Sequence, residues 1–199
     1  MREPIKTLDR IVRVAGIDSG FATLGLAIVE GDPRSWKDAS LLHLVSLVTK
    51  KADKKARKQM RVCTDDVSRI RDLAKKVGHD LEGFGAQAIA VEWFTPNPRQ
   101  GGFASGGWKA AITVGALLSL GWERRLAVLD QLPLDVKALV GSRSASKQDV
   151  EDWLRANLAG FSAEIDKISK THREHAADAA AHALIGLREL GERREAAAL

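Results

Sequence analysis

Apolar residues fall along the first third of this chain in short dense runs and later in helical spacing. Residues 11–17 and 24–29 are two such runs, of strand length and too short for a helix. Asp18-Ser19-Gly20-Phe21 lies between them as a hairpin-type link. Gly31-Asp32-Pro33 predicts a turn, and residues 41–48 a third strand. The pattern breaks over residues 49–61, where Lys50, Lys51, Lys54, Lys55, Arg57, Lys58 and Arg61 meet only Asp53 among acids. Val62, Val67, Ile70, Leu73 and Val77 then recur near helical spacing. Residues 88–91 read as a short buried strand, 95–107 as a Gly- and Pro-rich loop, 108–120 as an apolar helix and 126–129 as a strand. Ser146-Lys-Gln-Asp149 resembles a capping box, with Asp where Glu or Gln is usual. It opens a helix with Val150, Trp153, Leu154 and Leu158 on one face, stopped by Gly160. A last helix runs from about residue 173 to 190, with a fraying tail. The tryptophans at 36, 122 and 153 read as core or surface filler.

Three hairpin-connected strands followed by alternating helices and strands predict an α/β fold: a mixed five-stranded sheet, its first three strands antiparallel, flanked by helices. With 199 residues, no internal repeat and no long linker, the expectation is one domain over 1–199 with a core at about 12–190. Composition changes this picture little. The 31 basic and 26 acidic residues give a net charge of +5, a modest bias toward a polyanionic partner. The lone Cys63 excludes an intramolecular disulfide and a cysteine metal cluster. Residues 1–10 lack the apolar stretch of a signal peptide, and no run reaches membrane-span length. The expectation is a soluble, intracellular, cytoplasmic protein with no membrane partner.

The candidate chemistry is acidic. Asp18 closes the run Val-Ala-Gly-Ile-Asp-Ser-Gly at 14–20, and Glu92 closes Ala-Ile-Ala-Val-Glu-Trp-Phe at 88–94. Asp178 sits in the helical stretch His-Ala-Ala-Asp-Ala-Ala-Ala-His at 175–182, among alanines that place it close to packed backbone. A carboxylate at a buried strand end is costly to desolvate unless a cation meets it. Three from distant segments could converge on a divalent-metal site, the basis of two-metal phosphodiester cleavage.

The ordered set Gly-Ile-Asp-Ser-Gly, Ala-Val-Glu-Trp-Phe, Val-Lys-Ala-Leu-Val-Gly-Ser-Arg-Ser-Ala-Ser-Lys-Gln-Asp-Val and His-Ala-Ala-Asp-Ala-Ala-Ala-His-Ala-Leu resembles RuvC, the Holliday-junction resolvase family of the RNase H-like nuclease superfamily. The likeness covers about residues 12–190. Gly-Ile-Asp-x-Gly alone also occurs at the phosphate-binding hairpin of sugar-kinase and actin-like ATPases. The Ser-Ala-Ser-Lys-Gln segment and the final helix are what an ATPase leaves unexplained. The resemblance implies an RNase H-like domain and a homodimer that binds four-way junctions. It implies paired symmetric nicks, made hydrolytically with two Mg²⁺ or Mn²⁺ ions per site and leaving 5′-phosphate and 3′-hydroxyl ends, with possible branch-migration machinery as a partner. Carried over by position, Asp18, Glu92, His175 and Asp178 are the metal and catalytic set. Many members have aspartate where His175 stands, and some have histidine. His175 either contacts a metal, positions water or shuttles a proton. Glu174 is a competing carboxylate outside the motif register.

By the same resemblance Lys147 lies near the scissile phosphate, where an ammonium would counter transition-state charge, and Lys137 touches DNA backbone. An aromatic beyond Glu92 is expected to stack on bases at the junction centre; Phe94 or Phe103 is the candidate, with Trp108 as a substitute. Lys54, Lys55, Arg57 and Lys58 of the basic segment are candidate DNA contacts. His182 completes an H-x-x-D-x-x-x-H spacing but reads as a plain helical histidine, because the family does not use that position. The alternatives are a broader branched-DNA or flap nuclease of the same superfamily, or a protein that binds junctions without cutting.

Overall fold

The computed structural model describes residues 11–53, 55, 58, 61–93 and 107–197. Five strands, β1 (Val12–Asp18), β2 (Thr23–Gly31), β3 (Ser40–Val48), β4 (Ala88–Glu92) and β5 (Ala127–Gln131), form one sheet in the order β3-β2-β1-β4-β5. β1, β2 and β3 are antiparallel neighbours, and β4 and β5 run parallel to β1. This is the expected α/β arrangement, an RNase H-like mixed sheet. Helices α1 (Val62–Gly83), α2 (Gly107–Glu123), α3 (Pro133–Leu139), α4 (Lys147–Asn157), α5 (Phe161–Ile165) and α6 (Arg173–Ala197) flank it. No helix among the described residues is long and apolar enough to cross a membrane.

Residue size differs between the two faces of the sheet, and that difference positions the site. On one face Ile17, Leu24, Leu26, Ile28, Ile89 and Val91 pack with Leu73, Val77 and Leu81 of α1 and Val114, Leu117 and Leu118 of α2. On the other face stand Gly16, Gly25, Ala27, Ala88 and Ala90, against the alanine-rich α6. Small residues on both surfaces let the helix backbone approach the strands. A Cβ on Gly16 would lie 2.1 Å from the Ala179 carbonyl oxygen, and one on Gly25 would lie 1.9 Å from that of His175. Alternation along a strand then carries Asp18, two residues after Gly16, to the α6 side.

Several short elements escape the sequence pattern. A 3-10 helix at Pro33–Asp38 follows β2 directly, its N-terminus capped by Asp32, so the predicted turn continues into it. α3 begins at Pro133, and the Leu132 amide donates to Asp135 Oδ2 at 2.7 Å. Seven residues of α3 and five of α5 hold too few turns for a helical period to show. Val67, expected on the packed face of α1, is exposed; Ile70, Leu73, Val77 and Leu81 form that face. Trp36 and Trp153 pack at the margin of the core, and Trp122 is exposed.

Candidate active site

Parallel pairing of β1 with β4 matches Ile17 with Val91, so the next residues, Asp18 and Glu92, end side by side. β4 and β5 match Glu92 with Gln131 at the same edge. Ligand sites in open α/β sheets form outside the carboxyl ends of parallel strands, where loops replace the ladder. The hairpin that carries Asp18 is fastened there. Thr49 Oγ1 donates to the Phe21 carbonyl at 3.0 Å and accepts from Arg69 at 2.6 Å, while the Arg69 guanidinium lies 4.1 Å over the Phe21 ring. Ser19 Oγ donates to the Glu92 carbonyl at 3.0 Å, joining the two strand ends.

α6 completes the cluster. His175 Nδ1 lies 2.5 Å from Asp18 Oδ2. Asp178, one turn on and nearly buried, pairs with the Lys147 ammonium at the start of α4. Lys147 also reaches Glu174 at 3.2 Å. The expected capping box holds: Ser146 Oγ accepts from the Asp149 amide, and the Asp149 carboxylate accepts from the Ser146 amide at 2.7 Å. That cap points the first residue of α4, Lys147, at α6. His175, rather than the exposed Glu174, is thus the residue in contact with Asp18.

Glu92 is held by a residue absent from the predicted site set. His182 is completely buried, with Nε2 3.1 Å from Glu92 Oε2 and Nδ1 2.7 Å from the Gln131 side-chain amide. Only one orientation of that amide satisfies both ends: its nitrogen donates to His182 Nδ1 and to the His182 carbonyl (3.3 Å), and its oxygen accepts from the Gly186 amide (3.0 Å). His182 therefore accepts at Nδ1 and donates its Nε2 proton to Glu92. The H-x-x-D-x-x-x-H spacing was the one sequence signal for this residue, and Gln131 had none.

Each acid is thus matched to a base, Asp18 to His175, Asp178 to Lys147 and Glu92 to His182. The hydrogen bond to Asp18 raises the His175 pKa above the ordinary imidazole value against the opposing effect of burial, and the charges of Asp18, Glu174 and Asp178 add to it. Burial works against the Lys147 charge, but Asp178 and Glu174 prevail and hold its pKa above the usual lysine value. Burial raises the Asp178 pKa above its ordinary value; Lys147 and His182 oppose this and Asp18 reinforces it. Three carboxylates and an imidazole form an oxygen-rich set that suits a hard divalent cation in kind, and the cluster already draws the Lys147 ammonium to itself. Among the described residues no three His, Cys, Asp or Glu side chains stand close enough to grip one ion, and Lys147 and His175 occupy oxygens of Asp178 and Asp18.

The raised Asp178 pKa carries a stability prediction. Because it lies above the unfolded value near 3.8, the stability linked to this group is fully present at acid pH and lost as pH rises through the folded pKa. At neutral pH the ionised carboxylate burdens the fold. Asp178→Asn, which cannot ionise, is expected to melt at a higher temperature than the parent in EDTA at pH 7. The gap should narrow as pH falls toward 4. A lower melting temperature at pH 7 would contradict this.

A cleft of about 520 Å³ opens beside Asp178, lined by Lys147, Gln148, Arg155, Lys170, Arg173 and Glu174 among others. Apart from Lys147, its cations Arg155, Lys170 and Arg173 were not among the site residues expected from the sequence. Lys137 is half-buried on α3 and makes no ion pair among the described residues. Lys55 and Lys58 are exposed. Lys54, Arg57, Phe94 and Phe103 lie outside the described residues.

No protein-family model and no curated protein sequence matches the chain. Solved structures do. The chain is similar to Thermus thermophilus RuvC, with 28% identity over 93% of this chain and 97% of that one and a TM-score of 0.66. It is similar to T. thermophilus RuvC in complex with a Holliday junction substrate, with 26% identity over 91% and 96% and a TM-score of 0.65. The yeast mitochondrial Holliday junction resolvase shares the fold at 15% identity over 96% and 86%, TM-score 0.59.

Proposed function

Taking the chain as RuvC-like, we propose that it is a structure-selective endodeoxyribonuclease that resolves four-way DNA junctions by paired symmetric nicks, leaving 5′-phosphate and 3′-hydroxyl ends. The observation that carries the reading is the acidic cluster: Asp18, Glu92 and Asp178 meet at one edge of the sheet, each against a base, beside a cleft rich in cations. Both T. thermophilus RuvC structures match over nearly the full length of this chain, and one of them holds a junction substrate. Asp18, Glu92, His175 and Asp178 would hold two Mg²⁺ or Mn²⁺ ions. Bound there, the ions supply an activated water and charge stabilisation on the leaving oxygen.

The chain's own groups have separate tasks. Lys147 neutralises Asp178 in the free protein, and on release its ammonium is placed to counter charge on the scissile phosphate. Arg155, Lys170 and Arg173 line the cleft that would receive the phosphate backbone. Lys137 and the basic residues Lys54, Lys55, Arg57 and Lys58 add DNA contacts, and Phe94 or Phe103 stacks on opened bases. Two symmetric nicks need two sites, hence a homodimer. On α2 the exposed residues Trp108, Ile112, Gly115, Ser119 and Trp122 follow one another at three- and four-residue steps, a stripe that suits the dimer contact. Residues from about 12 to 190 form the core of one nuclease domain that works inside the cell, with branch-migration machinery as its partner.

The test is cleavage of a mobile four-way junction, a flap, a fork and plain duplex in EDTA, Mg²⁺ or Mn²⁺. The expected result is two symmetric nicks on the junction with either ion and none in EDTA. Because His175 offers an imidazole, Mn²⁺ should serve at least as well as Mg²⁺. Equal activity on duplex or flaps would replace junction resolution with a broader nuclease. Tight junction binding without nicks would leave only a binding protein.

A further inference from the structure

His182 is buried at 0% exposure in the alanine-rich stretch of α6, yet both of its ring nitrogens are engaged. An imidazole in such surroundings is costly unless each nitrogen has a partner. The partners come from two different strands. Gln131, 2% exposed at the end of β5, donates to Nδ1, and Nε2 donates to Glu92 Oε2 at the end of β4. Gln131 is itself fixed by the backbone of α6, through the His182 carbonyl and the Gly186 amide. The chain Gly186–Gln131–His182–Glu92 therefore has a defined direction of donation at every link. Among the described residues, no group bonds the second carboxylate oxygen of Glu92.

We propose that His182, oriented by Gln131, is a positioning residue that holds one oxygen of Glu92 so that the other is presented to a divalent cation. The inference deepens the nuclease reading and rests on Glu92 being a metal ligand. A carboxylate fixed by a buried donor keeps its rotamer between binding events, whereas a free one must be ordered each time an ion arrives. Removing such an outer partner generally costs about 10- to 100-fold in metal affinity or activity.

The test uses the full chain and Mn²⁺ alone, without DNA, with free Mn²⁺ measured by electron paramagnetic resonance. His182→Leu deletes the donor, while His182→Gln restores an N–H at about the place of Nε2. The expected result is Mn²⁺ affinity at least about tenfold weaker for His182→Leu and within about threefold of the parent for His182→Gln, with junction binding in EDTA unchanged for both. The ion concentration for half-maximal cleavage should shift in parallel. Because His182→Leu could fail to fold, nitrogen-15 spectra of the parent give a second reading: Nε2 must carry the proton and Nδ1 must not. An Nδ1–H tautomer, or a folded His182→Leu that binds Mn²⁺ like the parent, overturns the proposal. If the parent binds Mn²⁺ with the predicted His182 dependence but does not cut junctions, the positioning role stands and the nuclease reading falls. If the parent cuts junctions and His182→Leu has the same ion dependence, the reverse holds. A parent that binds no Mn²⁺ overturns both.

Discussion

Asp18→Asn is expected to lower junction cleavage by about 10³-fold or more while leaving junction binding in EDTA within about twofold of the parent. The change replaces one oxygen by nitrogen at nearly constant volume. The amide can still offer an oxygen to His175, so the contact between the β1–β2 hairpin and α6 is kept. What is lost is a negative charge at the point where Asp18, His175 and Asp178 act on one another. If Asp18 binds metal, several kcal/mol of transition-state stabilisation go with it, and each 1.4 kcal/mol is a factor of ten. Gel-shift and cleavage assays on the same preparation separate binding from chemistry. Undiminished cleavage would remove Asp18 from the mechanism.

Gly25→Ala should unfold the protein or destabilise it by about 3 kcal/mol or more, because it overpacks a rigid contact. The new methyl carbon would sit 1.9 Å from the His175 carbonyl oxygen and 2.5 Å from its carbonyl carbon. Both are backbone atoms, so no rotamer change relieves the clash and α6 itself must move away from the sheet. That motion carries His175 off Asp18, so any folded fraction should also have lost cleavage. Gly83→Ala at the exposed end of α1 is the control. Its Cβ would meet nothing within 4 Å, and alanine in an exposed helix should stabilise by about 0.5–1 kcal/mol. Denaturant melts of both variants check the contrast; a Gly25→Ala protein as stable as the parent would mean that α6 does not lie on β2 as described.

Asp18 and Glu92 are legible in the sequence because each ends an apolar run, and a charge in that place stands out against a period of two. Asp178 is legible for a related reason, being the acid among alanines in a long helical stretch. The order of strands and helices follows from run length and spacing in the same way. α3 and α5 are not legible, since a helix of two turns or fewer shows no period. Nor was the packed face of α1 fully readable: Val67 fits the spacing but lies on the exposed side, because which residues a helix buries depends on where it meets the sheet.

The partners of the acids depended on contacts that no local pattern records. His175 meets Asp18 across 157 positions, His182 meets Glu92 across 90 and Gln131 across 51. By itself the sequence determined that a mixed sheet would form, that two acids would lie at strand ends and that a third would lie on an alanine-rich helix. These are properties of side-chain period and burial, which act within a few residues. The tertiary structure decided that the helix lies against Gly16 and Gly25, that Lys147 turns onto Asp178, and that a histidine read as ordinary is the one holding Glu92. The reason is that a hydrogen bond has a short range and a direction, so its partner is set only once distant backbones are brought within about 3 Å of each other's side chains.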